Sequence, residues 1–183
     1  MPRPREFDES AVIDASVRAF WAGGLAQTSV DTLLQTTGLS RSSLYSCIGN
    51  RDELLRLAVE RYVDLQLAAL RQLFARHEPG KALETLFVEA ASTNLEGRGC
   101  LLVNGANELH DADSANREVV RRGFGRIAAE LEKLLRAAGH ASPRDGCIEA
   151  MVAIAGLRTM QRAGLGRAGL VRAARRFAGL IAP

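Results

Sequence analysis

Apolar residues recur along most of this chain at intervals of three and four positions, the spacing of one face of an α-helix. The alternation of apolar and polar residues that is typical of strands does not occur. Glycine or proline interrupts the helical pattern near residues 78–80, 97–99, 139 and 164–166, where helices are expected to end or begin. The pattern predicts an all-α protein of about nine helices.

Two short helices joined by a tight turn are predicted within residues 28–51. Thr28 is expected to cap the first helix, with an acid three positions later at the capping-box position. Gly38 follows the last turn of that helix, where a left-handed backbone is needed. Ser40 is expected to cap the second helix, and Leu44 to hold it against the core. This succession predicts a helix-turn-helix motif.

The second of these helices has the composition of a segment that enters the major groove of DNA. Residues 41–51 contain two arginines, several hydroxyl groups and no carboxylate. Arginine can pair with guanine edges, while hydroxyl groups can bind base edges or phosphates. The candidate DNA-binding residues are Arg41, Ser42 and Ser43 for base edges, Thr28, Tyr45 and Arg51 for phosphates, and Ser29 and Ser40 beside them. An ordinary helical corner with a solvated polar face is the alternative.

Four segments in roughly the first third of the chain carry a family resemblance. They are residues 12–24 (VIDASVRAFWAGG), 28–30 (TSV), 36–45 (TTGLSRSSLY) and 48–54 (IGNRDEL). Together they resemble the DNA-binding domain of the TetR family of transcriptional repressors. The residues that differ from those frequent in the family are Ser42, Ser46, Cys47, Ile48 and Arg51. Arg51 stands where the family often has lysine, so the positive charge is kept.

The resemblance implies an organisation for the whole chain. It implies a helix-turn-helix DNA-binding domain at residues 1–50 and a helical effector-binding and dimerisation domain at residues 51–183. The implied function is that of a ligand-responsive regulator, most often a repressor, which a small-molecule effector releases from a palindromic operator. A homodimer is expected because two reading helices about 34–36 Å apart can enter adjacent major grooves.

The resemblance also implies two sites in the helical body. The last two helices would pair with those of a second chain, and the candidate interface residues are Met151, Ala155, Leu170, Ala174 and Phe177. An apolar effector pocket with a few polar anchors is expected as well. Its candidate residues are Phe87, Leu102, Asn104, Val120 and Met151. For every residue of both sets, plain packing in the monomer core is the alternative.

The composition says more about where the protein is located than about what it does. The chain has 183 residues, of which 47% are hydrophobic, and a net charge of +3, which suits a DNA-binding protein but does not require one. No apolar run approaches the ~20 residues of a membrane span, and the first residues are too polar for a secretory signal. A cytoplasmic protein without a membrane partner is therefore expected. Arg3 and Arg5 either add DNA contacts or belong to a solvated tail.

Patterns typical of enzymes, metal sites and cofactor sites do not occur in this sequence. There is no nucleophile elbow, no phosphate-binding glycine loop and no metal-ligand spacing, so no catalysis, metal or cofactor is predicted. His110, Asp111 and Asp113 form the one dense polar cluster, which is predicted to be a loop. Cys47 beside the reading segment is either a structural cysteine or a thiol sensor. A helical interaction module without DNA binding is the remaining rival.

Overall fold

The computed structural model describes residues 8–92, 98–109 and 114–183, apart from the side chains of Cys47 and Ser114. These residues form nine α-helices and no strand, which confirms the predicted all-α fold. The helices are α1 (Glu9–Gly23), α2 (Val30–Thr37), α3 (Arg41–Ser43), α4 (Arg51–Arg76), α5 (Pro79–Ser92), α6 (Leu101–Glu108), α7 (Ser114–Ala137), α8 (Pro143–Arg162) and α9 (Arg167–Ile181). The residues Arg3, Arg5, His110, Asp111 and Asp113, for which the sequence suggested roles, lie outside the described residues.

Caps and one left-handed glycine delimit the two short helices of the predicted motif. The hydroxyl of Ser40 caps α3 by accepting a backbone N–H three residues later at 3.1 Å. Gly38 ends α2 in the left-handed region with φ 71°, as expected. The cap of α2 is Ser29 rather than Thr28, because the Ser29 hydroxyl accepts the backbone N–H three residues later at 3.1 Å. The predicted cap was therefore wrong by one position.

Helix α3 continues without a break into a π-helical turn, Leu44–Ile48, and residues 41–48 are called the reading helix from here on. The backbone N–H of Gly49 donates to the carbonyl of Leu44, five residues earlier, at 3.0 Å. Leu44 is completely buried. This side chain holds the reading helix on the core along one side and leaves its other sides at the surface.

The core beneath the reading helix is shared with the rest of the molecule. Phe20 of α1, Leu33 of α2 and Leu44 pack in one cluster with Leu54 and Leu55 of α4, and all five are completely buried. Apolar residues of α6 and α7 belong to the same cluster. The first three helices therefore rest directly on the body, and the division of the chain after residue 50 stays a prediction.

Helix α4 joins this core to a second one. Its 26 residues span about 39 Å at 1.5 Å per residue. Leu67 belongs to the first core, whereas Leu70, one turn later, belongs to the second. The second core is formed by α5, α7, α8 and α9 around the completely buried Phe87, Leu135 and Ala174. A displacement of α4 in the body therefore bears directly on the packing of α1.

Candidate functional site

The reading helix presents a polar surface without carboxylates. Arg41, Ser42, Tyr45 and Ser46 are exposed, and Tyr45 is 51% exposed although it is aromatic. Ser43 is half-buried. Hydrogen-bond donors and acceptors therefore occupy neighbouring positions on one short helix, together with one positive charge, as base-edge and phosphate contacts require.

Arg41 is held by a carboxylate of the preceding helix. Its Nη2 lies 2.5 Å from Oδ1 of Asp31 in α2, and the two side chains are 57% and 75% exposed. An exposed ion pair of this kind contributes about 0.2–1 kcal/mol. Arg41 can therefore exchange this partner for a guanine edge or a phosphate at small cost.

Hydroxyl groups form local networks at the starts of α2 and α3. The Ser40 Oγ lies 2.9 Å from the Ser42 Oγ and 2.8 Å from the Ser43 Oγ. The Ser29 Oγ lies 2.9 Å from the Thr32 Oγ1. Each hydroxyl has one donor and two acceptor sites. Ser40, which also accepts the Ser43 N–H, uses all three sites within the protein, whereas Ser29 and Ser42 keep capacity for a ligand.

Thr28 is buried, so its position does not favour the predicted phosphate contact, which stays a prediction. The residue is only 3% exposed, and its hydroxyl donates to the carbonyl of Gly24 at 2.7 Å. Its hydrogen-bonding capacity is used inside the connection between α1 and α2. Ser29, the next residue, occupies the exposed position.

Arg51 has contacts within the protein, and its predicted phosphate contact stays a prediction. Its guanidinium donates to the backbone carbonyls of Thr28 at 2.7 Å and Ala26 at 3.2 Å, and to that of Leu25. The guanidinium carbon also lies 5.5 Å from the centre of the Phe20 ring. Because the side chain is only 22% exposed, Arg51 binds the connection between α1 and α2 to the start of α4.

A cavity of about 110 Å³ lies in the body, where α4 to α8 meet. Apolar side chains dominate its lining. The residues that line it are Tyr62, Gln66, Leu70, Leu86, Ala90, Cys100, Leu102, Val103, Phe124, Ile127, Leu131, Met151, Ile154, Ala155 and Arg158. A mostly apolar lining with a few polar groups is typical of sites that bind small organic molecules.

Two of the five predicted pocket residues, Leu102 and Met151, line this cavity. The other three do not line it, and their predicted role stays a prediction. Phe87 is completely buried in the second core, and Val120 is 3% exposed in the first. Asn104 lines a neighbouring pocket, where its amide donates to the Arg98 carbonyl at 2.7 Å.

Four polar residues of the cavity, Tyr62, Gln66, Cys100 and Arg158, were not predicted from the sequence. The Tyr62 hydroxyl donates to the Cys100 sulfur at 3.6 Å, and burial, with a smaller effect from Cys100, raises the pKa of the Tyr62 phenol well above its usual range. Arg158 follows Met151 by seven positions on α8. Because positions seven apart share a helix face, this spacing was a usable signal for Arg158.

Helices α8 and α9 carry an exposed apolar face. On α8 it comprises Ile148, Val152 and Met160, which recur at multiples of four positions and are 55%, 67% and 42% exposed. On α9 it comprises Phe177 and Leu180, which are 38% and 79% exposed. Single exposed apolar side chains are common, but a contiguous group of this size typically marks an interaction surface.

The predicted interface residues only partly coincide with this face. Leu170 and Phe177 line the groove between α8 and α9. Met151 and Ala155 line the interior cavity instead, and Ala174 is completely buried inside the second core. The inward side of α8 and the buried side of α9 thus place these three residues within the monomer, and their predicted interface role stays a prediction.

In residues 8–92, 98–109 and 114–183, no three His, Cys, Asp or Glu side chains converge as a metal site needs. None of the helices in these ranges combines the length and the apolar character that crossing a membrane demands.

Comparison with known proteins identifies two related regulators. No protein-family model matches the chain. The chain is 33% identical over 89 residues to the HTH-type transcriptional repressor ComR of Escherichia coli, across 49% of this chain and 39% of that protein. It is 30% identical over 138 residues to the uncharacterized HTH-type transcriptional regulator YezE of Bacillus subtilis, across 72% of this chain and 68% of that protein.

A solved structure shares the fold. It is a cysteine mutant of the TetR family transcriptional regulator CifR, complexed with 26-base-pair double-strand operator DNA. The TM-score is 0.82 at 20% sequence identity, over 96% of this chain and 97% of that one. Together with the relationship to YezE, this fold confirms the family that the sequence motifs indicated. The chain belongs to the TetR family of transcriptional regulators.

Proposed function

We propose that this protein binds a palindromic DNA operator as a homodimer, represses transcription there, and leaves the DNA when a small effector binds in its body. The observation that carries the proposal is the exposed, carboxylate-free surface of the reading helix above the buried Leu44. The CifR mutant with the same fold is complexed with operator DNA, which supports a DNA partner here. A chromosomal operator implies a cytoplasmic location.

The reading helix supplies the proposed DNA contacts. Arg41, Ser42 and the half-buried Ser43 are proposed to read base edges, since arginine and hydroxyl groups suit this task. The exposed Tyr45 hydroxyl is proposed to bind a phosphate. Ser29 and Ser40 cap their helices and add exposed hydroxyls at the start of each.

The exposed face of α8 and α9 is proposed to be the dimer interface. Val152 and Leu180 would be covered by the same face of a second chain, as a two-fold interface requires. Such a dimer presents two reading helices. One short helix makes few base contacts, whereas two helices about 34–36 Å apart can read both halves of a palindrome.

The first three helices and their connections, residues 8–50, are called the reader from here on. Helix α6 is proposed to couple the effector to the DNA surface, because it contacts both the cavity and the reader. Leu102 and Val103 line the cavity. At the other end of α6, Glu108 accepts the backbone N–H of Ala26 at 3.1 Å, in the connection that Arg51 also binds. An effector that binds more tightly when α6 is in another position shifts the equilibrium toward that conformation. The shift equals the difference between its binding free energies for the two conformations, typically about 1–3 kcal/mol.

Selection from a random pool of DNA duplexes tests the proposal. The wild-type protein is expected to enrich an inverted repeat whose half-sites are about 10–10.5 base pairs apart, or a multiple of this distance. Affinity for the selected duplex should fall steeply with salt concentration. A pool without enrichment, from a correctly folded protein, would favour the rival interpretation of a helical interaction module.

A further inference from the structure

The described lining of the cavity in the body carries positive but no negative charge. Among the described residues that line it, Arg158 is the one charged side chain, and there is no carboxylate. The apolar side chains around it come from five helices, including Leu70, Phe124 and Leu131. A positive charge in such surroundings favours a ligand with a negative charge at one end and an apolar remainder.

Arg158 also has an unused hydrogen-bond donor. Its Nη1 is buried and has no hydrogen-bond partner within the described part of the chain. A buried donor without a partner is unfavourable, and a guanidinium more so than a neutral group. A ligand that brings an anionic acceptor into the cavity would supply the missing partner.

Tyr62 offers a second donor in the same cavity. Its hydroxyl donates to the sulfur of Cys100 at 3.6 Å, and sulfur is a weak acceptor. A hydroxyl hydrogen rotates freely, so a carboxylate oxygen that enters the cavity can compete for it. Because burial raises the pKa of this phenol, the hydroxyl keeps its proton at neutral pH and remains a donor.

We propose that the cavity binds a short-chain aliphatic monocarboxylate, with the carboxylate on Arg158 and the hydrocarbon chain among the apolar side chains. The cavity holds about 110 Å³, which is less than the about 150 Å³ of an apolar cavity that accommodates benzene, so it has room for a hydrocarbon chain of about four carbons. The proposal names the ligand class of the effector site and thus rests on the proposed function.

The carboxylate is distinguished from its neutral and cationic analogues by the charge of Arg158. A primary amide of the same length keeps an acceptor but loses the charge-assisted hydrogen bond. An alkylamine places a second positive charge beside the guanidinium, which is unfavourable. The expected order of affinity is therefore carboxylate, then amide, then amine.

Isothermal titration calorimetry with pentanoate, pentanamide and pentylamine tests this order on the full-length protein. Pentanoate should bind at least about tenfold more tightly than pentanamide, since a charge-assisted hydrogen bond is roughly twice as strong as one between neutral groups. Arg158→Gln should reduce pentanoate affinity to that of pentanamide, and Arg158→Lys should restore part of the difference. Equal affinities of wild type and Arg158→Gln for pentanoate would overturn the proposal.

A matched variant controls for charge on the same helix. Arg162 lies one turn after Arg158, donates to the Asn104 side chain at 2.7 Å and does not line the cavity. Arg162→Gln should bind pentanoate like the wild type. Ala155→Met should abolish binding by filling the cavity, whereas Ala129→Met at an exposed position of α7 should not. Circular dichroism verifies that each variant is folded.

The titrations contain no DNA, so this inference and the regulator proposal fail independently. Pentanoate binding that depends on Arg158 supports the ligand class even if no operator is found. Operator binding together with no detectable binding of butanoate, pentanoate or hexanoate overturns the ligand class and leaves the regulator proposal intact. Adding pentanoate to the protein–operator complex then measures whether this ligand releases DNA.

Discussion

The reading helix and the exposed face of α8 and α9 are both solvent-accessible, yet they offer opposite chemistry. The reading helix exposes Arg41 and hydroxyl groups, and its charged partner Asp31 is held only weakly. The α8–α9 face exposes Val152, Phe177 and Leu180, whose removal from water is favourable by about 25 cal/mol per Å². One surface suits a polyanion that displaces water and ions, and the other suits a second copy of itself.

Because their chemistry differs, the two surfaces need different tests. The reading helix is expected to determine which DNA sequence is bound, with little effect on dimer formation. The α8–α9 face is expected to determine dimer formation, and to affect DNA binding only through the dimer. Substitutions in each surface should therefore separate these two properties.

The largest effect is expected for Val152→Glu on the α8–α9 face. In a two-fold interface each substitution places a carboxylate in both chains, and like charges in an interface cost several kcal/mol. The dimer dissociation constant should rise about 1,000-fold, or about 4 kcal/mol, in sedimentation equilibrium. Ala129→Glu, at an exposed position of α7, is the control. A Val152→Glu dimer as tight as the wild type would remove this face from the interface.

The next largest effect is expected for Arg51→Ala, which tests how the connection between α1 and α2 is held to α4 rather than the DNA-binding surface. The substitution leaves three backbone carbonyls without their charged donor, so the free energy of unfolding should fall by about 2–4 kcal/mol. Urea denaturation measures the change. Arg121→Ala, which removes an exposed arginine paired with Glu118, should change it by less than about 0.5 kcal/mol.

A particular result for Arg51→Ala would contradict this structural role. If the variant kept the stability of the wild type and lost affinity equally for all DNA sequences, Arg51 would be a phosphate contact, as the sequence first suggested. The unfolding and DNA-binding measurements must therefore be made on the same preparation.

The smallest effect is expected for Glu108→Ala, at the junction of α6 and the reader. The variant removes the acceptor of the Ala26 N–H, a hydrogen bond that contributes about 1 kcal/mol. Exchange of the Ala26 amide hydrogen, followed by NMR, should become about fivefold faster through local opening. Glu89→Ala, at an exposed position of α5, should leave it unchanged. Unaltered exchange in Glu108→Ala would mean that α6 does not restrain the reader.

Local signals made the reader the more predictable region. Gly38, Ser40 and Leu44 lie where the sequence placed them, because caps, turns and core contacts of short helices depend on neighbouring residues. The burial of Thr28 and the internal hydrogen bonds of Arg51 were not predicted, because their partners are residues of the connection between α1 and α2. The burial of that connection is a property of the packed core, which no local pattern encodes.

The body was less predictable, because α8 is apolar on two sides. Met151 and Val152 are adjacent in sequence and both apolar, yet Met151 lines the cavity and Val152 is 67% exposed. Periodicity indicates that a helix has apolar faces but does not say which neighbour covers each of them. The same ambiguity explains why Ala155 and Ala174 were predicted at the interface and lie inside the monomer.

The central claim, that the reading helix recognises DNA sequence, is tested most directly by Arg41→Ala. Its affinity for a selected operator and for all single-base-pair variants is compared with that of Arg121→Ala by fluorescence anisotropy. Arg41→Ala should lose about 1–3 kcal/mol on the operator and all discrimination at one base pair of each half-site. If it matched Arg121→Ala on every duplex, the reading helix would not be the surface that recognises the sequence.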